Sequence, residues 1–211
     1  CTAQTLASLD EATLARDYAY LEKYVGIDKV YLETYRDGTW VSIDHMKMIQ
    51  NFFKKHGVEI AGGITTVTPP LEKDNVKRQR LFQTFCYSNE AMRTYLKKIV
   101  TYTAELFDEI ILDDFFFTSC TCDDCLRERS NLSWAEFRSK KMIDVAENLV
   151  LKPAKLANPS VKVTIKYPNW RESYHETGYV PKIQPSMFDK IYTGTETRNT
   201  AHTDQHLPRY L

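Results

Sequence analysis

The chain has 211 residues, a length sufficient for one large domain, and its 28 Lys and Arg balance its 28 Asp and Glu. The zero net charge argues against a nucleic-acid partner, which would require a basic excess. No apolar run approaches the roughly 18 residues of a membrane span, so we expect no transmembrane segment.

Helix-type and strand-type patterns alternate along the chain. Residues 1–5 have the character of the tail of a strand, and a capping signal at Ser8 predicts the first helix. Later helices are predicted after Ser42, Ser88 and Ser133, and strands at 29–35, 58–65, 109–114, 161–167 and 189–196. This alternation predicts right-handed βαβ units and a parallel sheet.

A polar or charged residue closes each predicted strand. No glycine-rich phosphate loop follows any strand, which weakens a nucleotide-binding fold. The strand-end residues are Glu33, Thr65, Asp113 with Asp114, Lys166 and Glu196. Because a (β/α)8 barrel gathers such residues onto one face, we predict an α/β fold of this TIM-barrel kind, as a single partial domain over 1–211. A complete barrel takes about 250 residues, so we expect a piece of a longer protein that contains about strands 1–6.

Three cysteines stand close together in the pattern C-x-C-x-x-C, at Cys120, Cys122 and Cys125. Disulfides among them would be strained and would leave an odd thiol. A structural Zn²⁺ requires four soft ligands, and Cys86, in the loop after the preceding strand, is the natural fourth. An iron–sulfur cluster also suits four cysteines, and reduced or oxidised thiols in a surface loop are the remaining alternative. Cys1 is left over.

The stretch from Ile111 to Cys125, followed by Trp134 and Phe137 on a helix, resembles the fourth-strand region of family 42 β-galactosidases. It is also similar to related barrels known only as hypothetical glycosyl hydrolases. The resemblance implies a catalytic carboxylate at the end of strand four and a fourth cysteine ligand after strand three. It further suggests a bacterial protein, periplasmic or secreted.

The strand end departs from family 42, which has Asn-Glu where this chain has Asp113 and Asp114. An Asp at this position, with an acid ending strand six, is similar to α-galactosidase-type barrels instead. The departure leaves two interpretations open. The first is a glycoside hydrolase, and the second is a catalytically inactive barrel that binds carbohydrate or serves as a scaffold.

Hydrolysis of an acetal requires a proton donor and a second carboxylate. We predict Asp114 as one of them, because it falls where the resembling family has its carboxylate, and Glu196 as its partner. Neighbouring residues of a regular strand point to opposite faces, so Asp113 is expected to anchor the next loop. For Arg36 and Asp37, which follow in the turn, a salt bridge within the turn is an equal alternative to a role at the site. The residues predicted to bind a carbohydrate substrate are Glu33, Tyr35, Asp113, Lys166, Tyr167, Asn169 and Trp170.

Overall fold

A computed structural model describes residues 1–67, 80–169 and 173–194 of the chain. Its sheet has six strands in the order β2-β1-β3-β4-β5-β6. The strands are β1 Lys29–Arg36, β2 Thr39–Trp40, β3 Glu59–Ile64, β4 Glu109–Leu112, β5 Lys162–Tyr167 and β6 Lys190–Thr193. All pair in parallel except β2, a two-residue strand that returns antiparallel to β1 after the predicted turn.

The helices lie between the strands and cover one face of the sheet. They are α1 Ala3–Ser8, α2 Glu11–Tyr24, α3 Ile43–Lys55, α4 Glu90–Leu106, α5 Asp123–Arg129, α6 Trp134–Val145, α7 Lys152–Ala157 and α8 Tyr174–Thr177. A π-helical segment, Ala146–Leu151, joins α6 to α7, and short 3-10 turns lie at Leu81–Gln83 and Gln184–Ser186. Within the described ranges, no helix combines the length and the apolar character needed to cross a membrane.

This arrangement is the predicted (β/α)8-barrel architecture, with five parallel strands in the part of the chain that the structure describes. Cys1 lies beside β1 as a strand residue would, since its amino group donates to the Tyr31 carbonyl at 2.7 Å and its carbonyl accepts from the Glu33 amide at 3.1 Å. The strand tail predicted at 1–5 is nevertheless short, because α1 begins at Ala3.

The sheet has an apolar outer face and a polar inner face. Paired residues of parallel strands share a face, and the register aligns Glu33 with Gly63, Gly63 with Ile111, and Ile111 with Thr164 along the inner face. The outer face is buried under the helices and carries Ile64, Ile110, Leu112, Val163, Ile165 and Tyr167. Burial of this layer supplies the main hydrophobic stabilisation of the domain.

A bulge near the end of β1 reorients Tyr35. The register shifts between Glu33 and Tyr35, so Tyr35 pairs with Ile64 and shares its outer-face position. Its ring is fully buried and packs edge-to-face against Trp40 and Tyr95, with centroids 5.3 and 5.6 Å away. The bulge therefore directs Glu33 and Tyr35 to opposite sides of the sheet.

Candidate active site

Six polar side chains form one cluster at the carboxyl ends of β1, β3, β4 and β5. We call this cluster the strand-end network, and its members are Glu33, Arg36, Thr65, Asp113, Asp114 and Lys166. Arg36 binds both carboxylate oxygens of Glu33, with Nε–Oε2 and Nη2–Oε1 distances of 2.8 and 2.6 Å. The same Nη2 lies 3.0 Å from Asp113 Oδ2, so one guanidinium joins the ends of β1 and β4.

Lys166 joins β5 to the two consecutive acids that follow β4. Its Nζ lies 3.3 Å from Asp113 Oδ1 and 3.2 Å from Asp114 Oδ2. The strand ends at Leu112, so the alternation of a regular strand does not apply to the two acids. The expected separation of Asp113 and Asp114 onto opposite faces therefore does not occur, and both carboxylates reach the same ammonium group.

Two uncharged donors, in addition to Arg36, bind the Glu33 carboxylate. The Thr65 hydroxyl donates to Glu33 Oε1 at 2.7 Å and lies 3.4 Å from Asp113 Oδ2. The Ala3 amide donates to Glu33 Oε2 at 2.9 Å. Glu33 is thereby held from three directions at the carboxyl end of β1.

Electrostatic contacts keep Asp113 ionised despite its burial. Burial alone raises the pKa of Asp113, but the hydrogen bond with Asp114 and the charges of Lys166 and Arg36 outweigh it and hold the pKa below its usual value. Hydrogen bonding to Glu33 likewise raises the pKa of Arg36 above its usual value.

A cavity of about 340 Å³ opens on the inner face beside the network. This volume falls at the lower end of the range of about 300–1,000 Å³ typical of small-molecule sites. The network members that line it are Glu33, Asp113 and Lys166. Tyr31 and Tyr192 also line it, and their hydroxyls are 2.6 Å apart. Charged groups and aromatic rings therefore share one compartment.

The structure brings together three of the predicted substrate-binding residues and separates others from them. Glu33, Asp113 and Lys166 line the cavity. Tyr35 and Tyr167 are buried on the outer face, where burial raises the pKa of Tyr167 to about 12, and we assign both to packing. Asn169 is half-buried, two residues beyond β5. Trp170 and Glu196 lie outside the described residues.

Arg36 and Thr65 belong to the network but are absent from the predicted set of substrate-binding residues. The prediction left Arg36 with a turn salt bridge to Asp37 as one alternative, whereas its close ion pairs are with Glu33 and Asp113. Each residue lies at or directly after the carboxyl end of a strand, and that position is the signal that identifies them.

The four predicted cysteines form a compact group. The Sγ atoms of Cys86, Cys120, Cys122 and Cys125 all lie within 4.8 Å of one another. Three of the separations are 3.6, 3.7 and 3.8 Å. Sulfurs around a tetrahedral Zn²⁺ with bonds of about 2.3 Å lie about 3.8 Å apart, so the group has the geometry to bind such an ion. The predicted ligand set is confirmed as a group that could hold a metal ion.

The surroundings of Cys120 favour a thiolate. Hydrogen bonds with Cys125 and Cys86 lower the pKa of the Cys120 thiol against the effect of burial, and Arg80 acts in the same direction. The Arg80 guanidinium Nη1 lies 3.8 Å from Cys120 Sγ. Hydrogen bonds with Cys120 raise the pKa of the Cys86 and Cys125 thiols, so these two would lose their protons on binding a metal ion, which binds the thiolate form.

The cysteine group connects the loop after β3 to the loop after β4. Arg138 on α6 donates to the Ser119 carbonyl at 3.1 Å and to the Glu176 carbonyl at 2.7 Å. Its guanidinium also lies over the Trp134 ring, 4.8 Å from the centroid. The loop that begins with Asp113 and ends with the cysteines is thus held by contacts with Cys86 on one side and with α6 on the other.

The parallel sheet, the strand-end acids and the cavity define a carboxylate-bearing (β/α)8 barrel. Over residues 1–211 the chain matches the family model described as "Probable glycosyl hydrolase, catalytic domain", and it belongs to that family. This membership agrees with the resemblance drawn from Ile111 to Cys125.

The proteins similar to the chain include one relative in sequence and one solved structure. An uncharacterised protein of Saccharolobus solfataricus is 32% identical over 221 residues, which cover 93% of this chain and 36% of the relative. The cold-adapted β-galactosidase of Rahnella sp. R3 has the same fold, with a TM-score of 0.64 at 11% identity, over 89% of this chain and 37% of that enzyme. The chain thus spans little more than a third of the length of either protein.

Proposed function

We propose that this domain cleaves a glycosidic bond with a pair of carboxylates at the carboxyl-terminal face of the barrel. The observation that carries the proposal is the contact of Asp113 and Asp114 with one ammonium group, that of Lys166, beside the cavity. Asp114 acts as one essential carboxylate, and Glu196 is proposed as its partner. One carboxyl group protonates the leaving oxygen, while the other activates water or attacks the sugar.

The other members of the strand-end network orient the sugar and stabilise charge. Asp113 is kept ionised, so its carboxylate can stabilise the positive charge that develops on the sugar ring in the transition state. Glu33 lines the cavity and can accept hydrogen bonds from sugar hydroxyls. Lys166 limits the repulsion between the two consecutive acids and keeps both at the same strand end.

We propose that the four cysteines bind one Zn²⁺ in a closed, structural site. All four ligand positions are taken by sulfur, which leaves no open position for water or substrate. The ion would hold the loop after β3 against the loop after β4, and so would stabilise the segment that contains Asp113 and Asp114. An iron–sulfur cluster is the competing occupant, and metal analysis distinguishes the two.

The proposed substrates are carbohydrates, and β-galactosides are the first to test because the Rahnella enzyme is named as a β-galactosidase. The test is a panel of p-nitrophenyl glycosides that covers both anomers of the common hexoses and pentoses, with oligosaccharide binding measured in parallel by calorimetry. Turnover of at least one glycoside supports the proposal. Binding without turnover would replace it with the carbohydrate-binding barrel, and neither binding nor turnover would contradict both.

A further inference from the structure

An exposed aromatic residue in an unfavourable backbone conformation lies near the strand-end network. Phe82 is 55% exposed, in the short turn Leu81–Gln83. Its φ and ψ are 51° and 19°, and Gln83 also has a positive φ of 53°. Two consecutive residues other than glycine in the left-handed region are uncommon, and such strain concentrates at ligand-binding sites.

A chain of contacts connects Phe82 to the acids. The Phe82 ring packs edge-on against Phe115, with centroids 5.1 Å apart. Phe115 follows Asp114 directly, and the Arg36 guanidinium lies 6.0 Å from the centroid of the Phe115 ring. Phe82 is thus separated from the carboxylates by one aromatic ring, which places it at the rim of the site.

The turn that presents Phe82 is held by the cysteine loop. The Leu81 amide donates to the Ser119 hydroxyl at 2.8 Å, and Arg80 lies beside Cys120. On its other side, Thr84 bridges Val67 after β3. These contacts fix the turn at both ends, so the exposed ring is held in place although its backbone conformation is unfavourable.

We infer that Phe82 is a platform for a sugar unit next to the one that reacts. The inference rests on the proposed glycosidase function and deepens it, because the separation by Phe115 places the ring beyond the reacting unit. An aromatic face buries the apolar C–H face of a sugar without requiring a hydrogen-bond partner. The substrate class is therefore an oligosaccharide or polysaccharide rather than a simple monosaccharide glycoside.

The test compares a trisaccharide with the methyl glycoside of the same sugar and linkage, chosen as the sugar that the wild-type protein cleaves best. For Phe82→Leu, we expect kcat/KM on the trisaccharide to fall about 10-fold, mainly through KM, as loss of part of a buried aromatic surface predicts. The loss on the methyl glycoside should be much smaller. Phe82→Trp, which keeps a flat aromatic face, should retain trisaccharide cleavage.

Leu156→Ala is the matched control, because it removes an exposed apolar side chain from α7 in the outer helical layer. Melting temperatures of all variants establish that the fold is intact. Equal losses on both substrates, or equal behaviour of Phe82→Leu and wild type, would overturn the platform while leaving the glycosidase proposal in place. If the wild-type protein neither cleaves nor binds any saccharide of the panel, the proposed function and the platform fail together.

Discussion

Lys166 is the residue on which the geometry of the acids depends. Its ammonium group contacts two carboxylates, while its side chain is 22% exposed. Without it, Asp113 would keep its ion pair with Arg36 at 3.0 Å, but the two consecutive acids would lose the cation that they share. Loss of a shared cation beside two largely buried carboxylates is costly, so Lys166 stabilises the folded state as well as the site.

We expect Lys166→Met to lower the free energy of unfolding by about 1–3 kcal/mol at pH 7, because it leaves the acids without their shared cation. The variant should also raise the pKa of Asp113 and so reduce the stability that ionised Asp113 contributes, which means that the difference between wild type and variant should shrink as the pH falls below about 4. Urea titrations between pH 7 and pH 3 measure both effects. An unchanged pH profile would contradict the assigned role of Lys166.

The stability of the wild-type protein should depend on pH through the ionisation of Asp113. The folded-state pKa of Asp113 lies below the ordinary value of about 3.9, so its stabilising contribution is present above that pH and is lost as the pH falls through the folded-state pKa. The stability difference between wild type and Asp113→Asn should therefore shrink below about pH 4. A difference that grows on acidification would contradict the direction of the shift.

The location of a residue could be predicted from the sequence where position along a strand determined it. Glu33 and Lys166 were expected on one face because the carboxyl ends of parallel strands meet, and both line the cavity, while their role in substrate binding stays a prediction. Tyr35 could not be placed correctly, because the bulge that reorients it depends on pairing with β3 and has no local sequence signal. Arg36 was ambiguous for the same reason, since its partner Asp113 is distant in sequence.

At the scale of elements, the loops after β3 and β4 are held together by the cysteine group. We expect metal analysis under reducing conditions to find one zinc per chain. Cys120→Ser should abolish zinc binding. It should also lower the free energy of unfolding by about 3 kcal/mol or more, because a closed metal site contributes directly to folding.

Cys1→Ser provides the control for this prediction. Cys1 is exposed and lies outside the cysteine group, so the change should leave metal content intact and stability within about 0.5 kcal/mol of wild type. Iron with sulfide in place of zinc would favour the cluster alternative. A full zinc content in Cys120→Ser would contradict the ligand assignment.

Gly62 and Gly63, adjacent in β3, allow a substitution that disturbs core packing to be compared with one that disturbs the proposed site. A Cβ at Gly62 would lie 2.7 Å from side-chain atoms of both Phe107 and Thr103, whereas one at Gly63 would lie 3.1 Å from Cγ of Glu33. The two sites face opposite sides of the same strand.

We expect Gly62→Ala to destabilise the protein by about 1–3 kcal/mol, because the strand and α4 would have to separate. Gly63→Ala should cost less stability but should displace Glu33 and raise KM. Thermal unfolding and steady-state kinetics of the two variants test this contrast. If Gly63→Ala proves the more destabilised of the two and keeps wild-type KM, the assignment of the inner face to the site is wrong.

The order and type of the strands could be predicted because each combines a buried apolar face with a turn signal. Helix starts were predicted less accurately. Ser42 and Ser133 cap helices as expected, whereas α2 is capped by Asp10 because the Ser8 hydroxyl donates to the Thr5 carbonyl at the end of α1. The two-residue strand β2 has no periodicity of its own, so only its preceding turn was visible in the sequence.

At the scale of the whole molecule, the inner face of the sheet is polar at both ends. Toward the amino ends of the strands, Glu109 binds Lys29 at 2.9 Å and Lys190 at 2.7 Å. Those hydrogen bonds and charges outweigh burial and lower the pKa of Glu109, so it stays ionised between the two lysines. Toward the carboxyl ends, the cavity borders the strand-end network, and the loops that follow β3 and β4 carry the cysteines and Phe82.

The central claim is that the strand-end acids perform glycoside hydrolysis, and the rate of Asp114→Asn tests it most directly. The substitution keeps the size of the side chain and removes its charge. On the best-cleaved aryl glycoside, we predict a loss of at least about 100-fold in kcat with an unchanged metal content, the size expected for a lost acid or base. Asp123→Asn, which changes an exposed acid of the cysteine loop, should retain the wild-type rate. Wild-type turnover by a folded Asp114→Asn variant would contradict the account.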